Sequence, residues 1–171
     1  MADAKNGSWK RFDAEMKWYE RIRDEVMAAA EEAGVSMRQQ LRLELGFEEV
    51  LVNIISYAYD DPGYVWLKTS EEGDCFRIEF ADHGKPFDPL EKDCRPPDDL
   101  PLEKRKPGGY GIFLVKKNFK SVEYKYEELF GQMANHLSLL LDKEEKKYGS
   151  VNLCCHYNDT GTGNPDRRVS P

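Results

Sequence analysis

The sequence has no apolar run of membrane-spanning length, no paired CxxC spacing, no internal repeat and no excess of positive charge, and each absence removes a class of function. A spanning helix needs about 20 successive apolar residues. Four cysteines, Cys75, Cys94, Cys154 and Cys155, are scattered, so neither a zinc site nor a disulfide framework is indicated and they read as reduced thiols. For the adjacent Cys154 and Cys155, packing of a short late strand and redox activity are the two accounts. A formal net charge of −7 argues against broad nucleic-acid binding, which requires a clustered basic surface. The N-terminus, MADAKNGSWKRFD, lacks the apolar core and cleavage site of a secretory signal, and the expected compartment is the cytoplasm.

What is present suits one soluble globular domain. A chain of 171 residues can bury a continuous core without staples, and 40% hydrophobic with 33% charged residues fits a well-solvated surface. From Asp13 to Gly34, residues Met16, Tyr19, Ile22, Val26 and Ala30 recur at helical spacing. A second helix is expected from an N-cap at Ser36 to Tyr59, and its apolar end, including Leu51, Ile54, Ile55 and Tyr57, is expected to be buried. Val65, Leu67 and Thr69, then Phe76, Ile78 and Phe80, alternate as a hairpin around a turn at 71–74. Six prolines mark a long loop over 85–107, a third helix follows, and SVEYKYEE and NHLSLLLD form two more strands around a turn near Gly131. GSVNLCCHYN is a candidate edge strand. This order predicts an α+β two-layer sandwich, with helices on one face of a mostly antiparallel sheet. The expected divisions are an N-terminal extension over 1–12, the domain over 13–157 and a mobile polar tail over 158–171.

Three clusters could carry chemistry. Glu49 and Asn53 lie four apart, so they share one face of the second helix. An amide oxygen suits magnesium, and a carboxylate suits orienting or deprotonating a hydroxyl; an ordinary solvated helix face is the alternative. ADHGKPFDP places Asp82 at a strand end with Gly84 in the turn, where the carboxylate could accept an adenine amino proton or simply make a turn. GGYGIFLV puts Gly108, Gly109, Tyr110 and Gly111 at a helix entry, where free N–H groups favour phosphate, although neither a P-loop nor a dinucleotide fingerprint is matched. Lys104, Arg105 and Lys106 precede it, either as anion contacts or as a solvated loop run.

Taken in order, ELGFEEVLVNIISYAY, ADHGKPFDP and KPGGYGIFLVKK resemble the three ATP-binding boxes of the GHKL (histidine-kinase-like) ATPase superfamily. Within it, the chain looks most like bacterial anti-sigma-factor serine/threonine kinases, from about Phe12 to Lys143. The resemblance implies Glu49 as catalytic base, Asn53 as Mg²⁺ ligand and Asp82 as the adenine-reading acid with Gly84 beside it. It further implies Gly108, Gly109 and Gly111 as the phosphate cradle, Tyr110 as a further ATP-binding residue, residues 85–107 as the ATP lid, and Lys104, Arg105 or Lys106 as phosphate contacts. Ser138 matches a hydroxyl that helps hold adenine through water. Tyr57 departs from a histidine found in many relatives, and KPF at 85–87 replaces a second glycine of the histidine kinases. His83, His136 and His156 have no phosphoacceptor context.

By this resemblance the expected cofactors are ATP and Mg²⁺. The expected partners are an anti-anti-sigma antagonist of the STAS fold, phosphorylated on serine or threonine, and a sigma factor that the protein sequesters. Homodimers occur among relatives. The rival expectation is an ATP-binding regulatory module without phosphotransfer.

Overall fold

The computed structural model describes residues 7–91 and 110–145. Over these the chain forms β1 (Lys10–Asp13), a 3-10 turn (Met16–Trp18), α1 (Tyr19–Glu32), α2 (Met37–Asn53) and a π turn (Ile54–Ala58). There follow β2 (Tyr64–Glu72), β3 (Cys75–Asp82), α3 (Tyr110–Asn118), β4 (Ser121–Leu129) and β5 (Gln132–Asp142). Lys104, Arg105, Lys106, Gly108, Gly109, most of the expected lid, the candidate edge strand, Cys94, Cys154, Cys155 and the tail lie outside the described residues.

Alternation along the strands sorts side chains between the two faces of one antiparallel sheet, ordered β1-β2-β3-β5-β4. Val65 and Leu67 of β2, Phe76, Ile78 and Phe80 of β3, and Leu137, Leu139 and Leu141 of β5 all turn to the helices. There they meet Ile22, Val26 and Ala30 of α1 and Leu43, Phe47, Val50 and Leu51 of α2. Phe47, Phe76 and Phe80 are fully buried and contribute about 2–3 kcal/mol each relative to exposure. The expected α+β sandwich is therefore the observed fold, and its core lies between α1, α2 and the sheet. No described helix is long and apolar enough to cross a membrane.

Three local expectations need correction. Lys10–Asp13 pairs with Tyr64–Leu67 as an edge strand, so the first helix starts at Tyr19 instead of Asp13. Met16 then falls in the 3-10 turn and is 55% exposed, because that turn does not continue the phase of α1. Tyr57, expected inside, is 77% exposed: the π turn inserts an extra residue per turn and rotates the end of the helix out of register with its core face. Ser36 does occupy the N-cap with extended backbone, but no side-chain capping bond forms. Its N–H donates to the Lys143 carbonyl and its own carbonyl accepts from Gln40.

Candidate functional site

The phase of α2 places the first group. With Leu43, Phe47 and Val50 committed to the core, Glu49 and Asn53 emerge together on one flank of the helix, one turn apart and half-buried. Neither side chain has a hydrogen-bond or ion-pair partner among the described residues. Burial pushes the Glu49 carboxyl above its ordinary range, and the neighbouring Glu48 charge adds to the effect. A carboxyl so placed is a stronger base than an exposed one.

The second group is the entry of α3. Gly111, in its first turn, lies directly against the Glu49 carboxylate, so that a Cβ at this position would overlap it. Gly46 of α2 similarly leaves room for the Phe119 ring beyond the far end of α3. Two glycines, one on each helix, thus bring the helices into close contact and put a carboxylate beside the N-terminal end of α3, where an anion is favoured. Tyr110 opens this helix.

The third group is the end of β3. Asp82 is buried, and its Oδ1 accepts from the Gly84 N–H and from Asn135 Nδ2, both at 2.9 Å. Burial raises the Asp82 carboxyl above its ordinary range, although the bonds from Asn135 and Gly84 oppose that shift. Neither of these two bonds falls on Oδ2. The strand end is fastened to the end of the π turn: the Lys85 N–H donates to the Ala58 carbonyl at 3.0 Å, and the Gly84 backbone packs so tightly on Ala58 that a Cβ would clash. The Tyr59 hydroxyl accepts from the His83 N–H at 2.8 Å and donates to the Tyr64 carbonyl at 2.6 Å. Lys85 also pairs with Asp60 at 2.6 Å.

The π turn continues α2 beyond Asn53 and is bonded at Ala58 and the adjoining Tyr59 to the end of β3, while Gly111 is held against Glu49 by packing alone. Two segments distant in sequence thus touch α2 and its continuation: the first turn of α3 at Glu49 and the end of β3 at Ala58. Ser138 is not brought there. Asp82 pairs with Asn135 in the β3–β5 register, so odd-numbered residues of β5 share the face of Asp82 and Ser138 projects from the opposite one. There its hydroxyl accepts from Arg77 Nη1 at 2.6 Å, in a polar hollow of about 260 Å³ that also includes Lys68, Glu79 and His136. The expected adenine role of Ser138 is withdrawn on this geometry.

Asn135 is the residue that sequence reading missed. An asparagine inside the run NHLSLLLD is unusual, since strands are poor in this residue and its amide must be satisfied when buried. That was the available signal, but only strand pairing reveals that it faces Asp82.

Among the described residues, no group of three or more histidine, cysteine or acidic side chains could hold a metal ion. The chemistry fits a Mg²⁺ that takes one protein oxygen and fills its remaining positions from water and a polyphosphate. The Asn53 amide, without a partner among the described residues, is the oxygen donor suited to that arrangement, with Glu49 one turn away.

A family model described as the histidine kinase-like ATPase domain matches residues 12–138, a span that contains all three groups. A search of curated proteins returned no match.

Proposed function

The chain belongs to the histidine kinase-like ATPase family, and on that footing we propose that it is a protein serine/threonine kinase that transfers the γ-phosphoryl group of Mg-ATP to a protein partner. The observation that carries this reading is the pair Glu49 and Asn53: two half-buried polar side chains one turn apart, without hydrogen-bond or ion-pair partners among the described residues, with Glu49 against Gly111 of a second helix. On a fully solvated helix face, burial would not push a carboxyl above its ordinary range as it does Glu49.

In the proposed site, Asp82 accepts the amino proton of adenine, and the turn at Gly84 keeps the backbone clear of the base. Asn53 would hold Mg²⁺, which would neutralise phosphate charge when bound. Gly108, Gly109, Tyr110 and Gly111 offer backbone N–H groups to the phosphates, with Lys104, Arg105 and Lys106 as further cationic contacts. Glu49 faces the incoming hydroxyl and takes its proton. The hydroxyl oxygen forms the new bond to the γ-phosphorus as the bond to the β-bridging oxygen breaks and ADP leaves. Positioning and charge neutralisation dominate such a transfer, so few groups suffice.

The proposed acceptor is an anti-anti-sigma factor of the STAS fold, and a sigma factor is the second proposed partner, held by a surface outside the nucleotide site. The motif resemblance and the intact Glu49 and Asn53 support this. The test is to recover proteins that co-purify with the chain from its native cell and incubate them with γ-labelled ATP. Label on a serine or threonine of a STAS protein is the expected result. Recovery of that partner with no phosphoproduct would instead identify a nucleotide-gated binding module.

A further inference from the structure

The Asn135 amide is buried on β5 directly opposite Asp82, and all its hydrogen-bonding capacity is used. Nδ2 donates to Asp82 Oδ1 at 2.9 Å and to the Lys85 carbonyl at 3.0 Å. Oδ1 accepts from the Phe87 N–H at 3.0 Å and from the Tyr124 hydroxyl at 2.7 Å. The backbone partners fix the orientation of the amide, because a peptide N–H can only donate and a carbonyl can only accept. Tyr124 must therefore donate its proton. A buried amide with both donors and both acceptors satisfied is held rigidly, and this one joins the end of β3, the chain that leaves it and the edge strand β4.

We infer that Asn135 is a positioning residue for base selectivity, which holds the Asp82 carboxylate ready for an amino donor and couples that carboxylate to the chain leaving β3 at Lys85 and Phe87. Adenine presents an amino group where guanine presents a carbonyl, so a carboxylate fixed in place accepts from the first and repels the second. Both Asn135 and Gly84 use Oδ1, which reserves Oδ2 for the base. Any movement of Asp82 on base binding is felt by the same amide that fastens residues 85 and 87, so reading the base and holding these two residues are one event. This rests on the nucleotide reading above.

Asn135→Asp separates the two halves of the arrangement. It keeps the oxygen that accepts from Phe87 and Tyr124, removes both donors and sets a second carboxyl against Asp82. Calorimetry on the full chain is expected to show Mg-ATP affinity reduced about tenfold or more, with the preference for ATP over GTP shrinking by a similar factor. Affinity for Mg-tripolyphosphate, which has no base, is expected to stay within about twofold of the wild type, a result that general loosening of the fold would not give. Unchanged base preference in a folded variant overturns the inference. A second measurement needs no variant: hydrogen exchange at the Phe87 amide of the wild type is expected to slow with Mg-ATP and not with Mg-tripolyphosphate. Equal slowing by both overturns the coupling. A wild-type protein that binds tripolyphosphate but no ATP overturns the nucleotide reading itself, whereas ATP binding with the variant still selective overturns only the role of Asn135.

Discussion

The Glu49 carboxylate of α2 fills the space that a side chain on Gly111 of α3 would occupy. A methyl group there must displace either the carboxylate or the helix. Gly111→Ala is therefore expected to lower stability by about 1–3 kcal/mol, the usual penalty for overpacking, and to weaken nucleotide binding together with phosphotransfer. Denaturant titration and calorimetry check the two effects. Full affinity in a stable variant would show that Glu49 moves aside freely and that the close contact has no bearing on the site.

Glu49→Gln is expected to slow phosphotransfer about 10²- to 10⁴-fold, as loss of a general base does, while ATP binding persists. Thermal stability should be equal to the wild type or higher. The sign follows from the raised carboxyl: the folded state binds its proton more tightly than the unfolded state, so ionisation near neutral pH opposes folding, and glutamine removes that charge. A large fall in melting temperature would contradict this account.

If Glu49 is the base of the proposed phosphoryl transfer, the rate should rise with pH as its carboxyl gives up its proton. Because burial and the Glu48 charge raise its titration, the acid limb of the pH profile is expected above the ordinary glutamate range. Glu48→Gln removes one cause of that shift and should move the limb to lower pH. A limb that does not move under this change would exclude Glu49 as its origin.

Asp82→Asn offers a separation of stability from recognition. An asparagine can keep an oxygen that accepts from Gly84 and Asn135, and it removes a charge that burial disfavours, so stability is expected to hold or increase. The new amide presents a donor to a donor at the adenine amino group. ATP affinity should fall about 10²-fold, and the relative affinity for GTP should rise. Competition binding with the two nucleotides measures this directly.

On the opposite face of the sheet, His136 lies between two carboxylates, with Nε2 at 3.1 Å from Glu79 and Nδ1 at 2.7 Å from Glu127. Hydrogen bonding to Glu79, then to Glu127, raises the imidazole above its ordinary value, and burial only partly opposes this. Burial alone would raise the Glu79 carboxyl, but the bonds from His136 and Lys68 together hold it lower. A raised imidazole stabilises the fold fully below its unfolded pKa and loses that contribution as pH rises through the folded value. Melting temperature is therefore expected to decline from about pH 6.5 upwards, where a histidine begins to titrate when unfolded. His136→Gln should flatten that slope, and an unchanged slope would assign the decline to another group.

The sequence by itself determined the architecture, because strand alternation and helix periodicity are local properties of the chain. Val65 and Leu67 alternate wherever β2 sits, and Ile22, Val26 and Ala30 form a stripe before anything covers it. The spacing of Glu49 and Asn53 likewise guarantees a shared helix face. Tertiary structure decided what those local patterns cannot express. The edge strand at Lys10–Asp13 exists only because β2 supplies partners for its backbone, and the exposure of Tyr57 follows from a π turn whose phase shift has no marker in composition. The same holds at the site: the pairing of β3 with β5 set Asn135 against Asp82 and turned Ser138 to the other face, a choice made by one residue of register. Register depends on contacts between distant segments, and for that reason it belongs to the folded molecule and not to any single stretch of its chain.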